Sequence, residues 1–201
     1  MTKELSNFGD HAKISMQSNV VGAETVGIEG GYHVVCRDVD GNVKWEDQFP
    51  NLVNAVGKQL MLDTLLSGSA YTTVGPFLGL ISGASPTFAA SDTMASHVGW
   101  TEFTNYTVAG SALRGAASFA SATSSGTTPT NVTTKTAAAL TYTITGAGGT
   151  VYGCFLVTGS GAVSTQSSTA GTLYSEGNFT TAKVTTAGDT VSVTYSTTAT
   201  S

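Results

Sequence analysis

Leu140-Thr141-Tyr142-Thr143-Ile144 and Val191-Ser192-Val193-Thr194-Tyr195 both alternate apolar and hydroxylated residues. That alternation sends every second side chain to the same face, the pattern of a half-buried strand. Around these two segments lie further strand candidates at short intervals: residues 105–109, 113–121, 136–145, 150–158, 171–179, 182–186 and 190–196. Turn residues separate them, among them Ser125-Gly126, Gly146-Ala147-Gly148-Gly149, Gly159-Ser160-Gly161 and Ala187-Gly188-Asp189. Many short strands with regular turns predict a β-sandwich or barrel. The stretch 123–134, Ser/Thr-rich with Pro129, reads as an exposed loop.

Toward the N-terminus the same logic gives a hairpin over residues 31–50. Tyr32-His33-Val34-Val35-Cys36-Arg37 is one strand, and Asp40-Gly41 supplies the turn. Val43, Trp45, Asp47 and Phe49 share one face of the return strand, and Pro50 ends its ladder. Residues 51–67 are the one strong helix, with Asn51 at the N-cap and Gly68 past the C-terminus. It is apolar over much of its girth, so it packs on a sheet or a neighbouring subunit. Gly57 within it signals close approach of another backbone, because glycine otherwise costs about 1 kcal/mol there. Phe77-Leu78-Gly79-Leu80-Ile81 is apolar on both faces and reads as a buried strand. A long loop over 83–104 follows, with a helical turn expected at 92–96. Residues 1–30 lack either period and read as an extended arm that a partner surface would have to order. The domain reading is therefore an arm over 1–30 and an all-β sandwich over 31–201, for which a jelly roll is one available form.

The chain has 201 residues, of which only 10% are charged, with a net charge of -5. An average domain carries about 25% charged residues. Beyond Arg114 only Lys135, Glu176, Lys183 and Asp189 are charged. No basic stripe exists for nucleic acid, and no apolar run is long enough for a membrane span. The N-terminus has no signal-peptide core, so synthesis in a cytoplasm is expected. In that reducing setting Cys36 and Cys154 are expected to be buried free thiols.

No catalytic constellation emerges, and neither a metal nor a cofactor is expected. His33 and Cys36 are spaced to face opposite sides of a strand, and zinc wants four ligands. Asp38, Asp40 and Asn42 resemble a calcium loop but fit a hairpin turn better. Glu46 and Asp47 face opposite ways, and Asp92 and Glu102 could approach one another within the long loop. Tyr106, Tyr152 and Tyr174 could stack on sugars if exposed, or fill the core. No nucleophile elbow, phosphate loop or zincin motif occurs. Three Asn-x-Thr matches, at Asn105, Asn131 and Asn178, are of the kind Thr-rich sequence produces by chance.

Three stretches carry a resemblance as an ordered set. The first is Asp38-Val39-Asp40-Gly41-Asn42-Val43-Lys44-Trp45-Glu46, running into Asn51-Leu52-Val53 and the helix that ends at Leu65-Leu66-Ser67-Gly68. The second is Phe77-Leu78-Gly79-Leu80-Ile81-Ser82, then Asp92-Thr93-Met94-Ala95-Ser96-His97 and Gly99-Trp100-Thr101-Glu102. The third is Gly153-Cys154-Phe155-Leu156, then Gly171-Thr172-Leu173-Tyr174-Ser175-Glu176-Gly177 and Gly188-Asp189-Thr190-Val191-Ser192-Val193-Thr194-Tyr195. Over residues 32–196 this order resembles a group of tailed-bacteriophage virion structural proteins. The resemblance implies a non-enzymatic virion component made in the host bacterial cytoplasm, foremost a head decoration (cement) protein on the capsid surface. A tail or fibre component stays open, and a carbohydrate-binding module is a rival from another class. Trp45 and Trp100 would then be core anchors and Asp189 a turn residue. The partner implied is the major capsid protein, with self-association as a dimer or trimer. Contact would fall on the arm, through Phe8, Ile14, Met16, Val20, Val21, Val26 and Ile28, and on the 83–104 loop.

Overall fold

The computed structural model describes residues 27–66, 74–83, 86–121, 123–125 and 132–200. Its elements are β1 (Gly27–Arg37), β2 (Val43–Pro50), β3 (Leu52–Val53), α1 (Ala55–Leu66), β4 (Phe77–Ser82), β5 (Thr101–Phe103), β6 (Tyr106–Thr107), β7 (Gly115–Ala116), β8 (Thr123–Ser125), β9 (Val132–Thr136), β10 (Leu140–Ile144), β11 (Gly149–Thr158), β12 (Thr172–Thr185) and β13 (Thr190–Thr200). They form an all-β sandwich of two antiparallel sheets with a single helix among the described residues.

Sheet A runs β2-β1-β13. The far edge of β13 is shared by β10 at Thr190–Val193 and by β9 at Ser196–Ala199. Beyond these lie β6 and β8. Sheet B runs β3-β12-β11-β4, with β5 and β7 both paired to the outer side of β4. The main core joins the two sheets. Tyr32, Val34 and Cys36 of β1, with Val191, Val193 and Tyr195 of β13, meet Leu78 and Leu80 of β4 and Cys154 and Leu156 of β11.

A second apolar cluster covers the opposite face of sheet B. Ile81, Phe155, Val157 and Leu173 pack there with Met94, Trp100 and Ala162. Sheet B is therefore buried on both faces, and its strands read as continuous apolar runs such as Phe77–Ile81 and Cys154–Val157. Among the described residues sheet A is covered on one face only, and its strands keep the alternation of β10 and β13. The difference in pattern along the sequence is the difference in layering.

The hairpin forms as expected. β1 and β2 pair with Cys36 opposite Trp45, and Gly41 sits at the turn with φ 86°. Both cysteines are buried free thiols. Burial pushes the Cys36 thiol up to about 11 and Cys154 well above its ordinary value, which suppresses the reactive thiolate. Trp100 is buried, while Trp45 is half-buried on the edge of the main core with its indole N–H on the Val184 carbonyl.

Several expectations are corrected. The helix starts at Ala55, because Leu52–Val53 pairs with β12 as β3. Asn54, not Asn51, precedes it, and its carbonyl accepts from the Lys58 N–H. Gly68 lies outside the described residues. No helical turn forms at 92–96; Thr93 and Ser96 pair as an isolated bridge. Residues 123–134 contain β8 and part of β9. The separate strands expected at 171–179 and 182–186 are one strand, β12. Its pairing with β11 shifts between Val151 and Gly153, which accommodates extra residues at 179–182. The strands expected at 105–109 and 113–121 shrink to β6 and β7. Gly27–Gly30, placed in the arm by sequence, belong to β1; residues 1–26 lie outside the described residues. Among the described residues no helix is long and apolar enough to cross a membrane.

Candidate functional site

Of the contact residues expected from sequence, Phe8, Ile14, Met16, Val20, Val21 and Val26 lie outside the described residues. Ile28 is described, and its side chain packs against the main core from β1. It serves the fold of the sandwich and not an exposed contact face. A trough of about 530 Å³ lies beside this point, lined by Glu29, Gly30, Gly31, Gln48, Pro50 and Ser196 among others.

The face of sheet A away from the core is uncovered among the described residues. Its outward residues include Thr141 and Thr143 of β10 and Ser192, Thr194 and Ser196 of β13, each between inward residues of the core. Thr141 and Ser192 hydrogen-bond across the strands at 3.2 Å. On β1 and β2 this face carries charge: His33 Nε2 meets Glu46 Oε1 at 2.7 Å. A second exposed feature is the last two turns of α1, where Leu62, Leu65 and Leu66 are 58%, 76% and 78% exposed.

The polar groups weighed from sequence are placed as follows. His33 faces outward and Cys36 inward, so they do not converge. Asp38 Oδ1 accepts from the Asp40 and Asn42 N–H groups at 3.0 and 2.8 Å, and Oδ2 from the Asn42 side chain. That is a turn bracing itself. Glu46 is exposed, whereas Asp47 is buried. Burial raises Asp47, but Thr180 and Lys183 outweigh it and hold the carboxyl below its ordinary value. Asp189 is similar: burial raises it, and Lys44 at 2.6 Å with Thr186 brings it lower than usual. Tyr106 and Tyr174 are buried, and Tyr152 is half-buried against the second cluster. Tyr106 and Tyr174 are therefore closed to sugar stacking.

Two charges missed as a functional pair from sequence organise the covered side of sheet B. Arg114, 2% exposed, donates to Glu102 through Nε and Nη2, at 2.7 Å for the shortest contact, and to the carbonyls of Val163 and Ser168. Ser167 N–H also donates to Glu102, at 2.7 Å. They line a cleft of about 250 Å³ with Met94, His97, Trp100 and Thr101. Asp92 and Glu102 do not form the pair considered from sequence: Asp92 accepts from the Ala89 N–H, and Glu102 is taken up by Arg114.

Glu176 is the other. Its side chain is fully buried, with Oε1 accepting from Asn54 Nδ2 at 2.8 Å and Oε2 from Trp100 Nε1 at 2.9 Å. Burial and the neighbouring Asp92 push it up to about 7 against the two donors. The available sequence signal was isolation. A lone carboxylate in an apolar strand is paired with a cation or held neutral. Among the described residues no three His, Cys, Asp or Glu side chains gather to hold a metal. No protein-family profile matches the chain, and neither the curated proteins nor the solved structures match it.

Proposed function

We propose that this protein is a bacteriophage virion component that binds the exterior of the capsid and stabilises it, with the open face of sheet A against the shell. The single observation behind this reading is the unequal layering: among the described residues one sheet is packed on both faces, while the other leaves a hydroxyl-rich face uncovered. Hydroxyls both donate and accept hydrogen bonds and cost far less to dehydrate than ions. Such a face suits a surface that is to be covered.

Stabilisation then follows from mass action. A ligand that binds the assembled lattice and not its dissociated subunits lowers the free energy of the lattice alone. Contact with more than one capsid subunit adds avidity through effective concentration. The exposed leucines of α1 support association of copies with one another, since burying them removes apolar surface from water. Residues 1–26 would add a tether along neighbouring subunits.

The test is co-sedimentation of purified protein with capsids that lack it. Wild type is expected to pellet with capsids and to raise their melting temperature. The double substitution Thr143→Lys/Thr194→Lys, which places charge on the face without touching the core, is expected to abolish both effects. Deleting residues 1–26 is expected to weaken pelleting. Absence of wild-type binding, with antibody decorating tails in electron microscopy, would overturn the head assignment.

A further inference from the structure

We propose that Glu176 is a pH-operated clasp: protonated, it holds residues 86–100 against sheet B, and ionised, it releases them. The geometry begins with a bulge. β11 and β12 pair Leu156 with Ser175 but Val157 with Leu173, so Tyr174 is an extra residue on β12. One inserted residue reverses the facing of all that follow it until the next irregularity. Ser175 thereby turns to the main core, where the Tyr32 hydroxyl meets its Oγ at 2.8 Å. Glu176 turns to the opposite side, beneath the 86–100 segment.

Three side chains tie that segment down. Asn54 Nδ2 bridges the Ala89 carbonyl at 3.1 Å and Glu176 at 2.8 Å. Asn178, two residues after Glu176, donates to the Pro86 carbonyl at 3.0 Å. Trp100 closes the far end through its indole N–H on Glu176. The Ala55 N–H adds a backbone bond to Ala90. Glu176 accepts from Trp100 at one end of the segment and from Asn54, which also holds the Ala89 carbonyl, near the other.

Its surroundings favour the neutral form. The loop brings Asp92, buried and within hydrogen-bonding reach of Glu176, and His97, stacked on Trp100 with ring centroids 3.8 Å apart. Burial holds His97 below its ordinary value, so it offers little positive charge near neutrality. β1 brings Tyr32, a neutral phenol whose burial raises it further. α1 carries Lys58, exposed, and Asp63, half-buried further along the helix. Glu102 and Arg114, which share the cleft with Trp100 and His97, are paired with each other. Ionising Glu176 therefore leaves a carboxylate buried beside the Asp92 side chain. There the Asn54 and Trp100 donors offset only part of the cost of burial, and no cation among the described residues is in contact with it.

The sign is fixed by linkage. A carboxyl raised in the closed form favours closure below its ordinary value, and that advantage is lost as pH rises to about 7. Release would uncover Ile81, Phe155, Val157 and Leu173, the apolar outer face of sheet B. A surface hidden in acid and offered above neutrality is a gated contact.

The experiment is amide hydrogen exchange over residues 86–100 at pH 5 and pH 8, corrected for intrinsic exchange. Wild type is expected to lose about tenfold or more in protection at the higher pH, in step with increased binding of an apolar dye. Glu176→Gln, which cannot ionise, is expected to show equal protection at both. In parallel, carboxyl carbon NMR on the unmodified protein is expected to give Glu176 a midpoint near 7, and a lower one in Asp92→Asn. A wild-type loop equally protected at both pH values, or a Glu176 midpoint below about 5, would overturn the proposal whether or not the Gln variant folds.

Discussion

At the scale of single residues, a glycine in a helix leaves no room for a side chain. A β-carbon on Gly57 would lie 2.7 Å from the Tyr174 carbonyl oxygen and 3.0 Å from its α-carbon. Those are backbone atoms of the bulged strand and cannot swing aside. Gly57→Ala would gain about 1 kcal/mol in helix propensity, but the overpacking costs about 1–3 kcal/mol, so a net loss in urea-denaturation stability is expected. Asp189 gives a pH prediction of the opposite sign to Glu176. Its folded value is depressed, so its contribution is present above the ordinary carboxyl range and lost as pH falls through the folded value. Asp189→Asn should destabilise at pH 7 and flatten the acid limb of a Tm-versus-pH curve; an unchanged acid limb would refute the assignment. The close approach at Gly57 was readable from sequence, because glycine in an otherwise strong helix needs a reason. For Glu176 isolation was the one signal; the face it takes was not readable, since that depends on a one-residue bulge that leaves no mark in the sequence.

At the scale of elements, α1 separates two kinds of leucine. Leu60 is buried against Gly159, its δ-methyl 3.1 Å from where a β-carbon there would stand, while Leu65 is 76% exposed. Leu60→Ala is expected to cost about 2–5 kcal/mol. Leu65→Ala should stay within about 0.5 kcal/mol in chemical denaturation, and to act instead on self-association in sedimentation velocity. Equal losses at the two positions would show that Leu65 is structural. Strand existence was legible wherever periodicity or apolar runs were strong, as in β1, β2, β4, β10, β11 and β13. It failed where tertiary pairing overrode composition. The Ser/Thr run holding β8 and β9 has no apolar face, yet β13 supplies a ladder for β9. Leu52–Val53 continued the helix pattern, yet the free edge of β12 drew it into sheet B.

At the scale of the whole molecule, β13 pairs with β1 along its full length, from Gly27 opposite Thr200 to Arg37 opposite Thr190. The earliest described strand and the latest therefore sit side by side in the middle of sheet A, with the other strands of that sheet arranged around them. Such pairing is highly non-local, and long-range contacts form slowly because loop closure must precede them. During synthesis β1 and β2 emerge early and can make a hairpin, but its apolar side has no lid until the strands of sheet B, β12 among them, leave the ribosome, and β1 has no second ladder partner until β13 follows. Until then, Tyr32, Val34 and Phe49 are exposed on a two-stranded ribbon that is marginal by itself. The nascent chain is thus most aggregation-prone in the interval before β12 and β13 emerge.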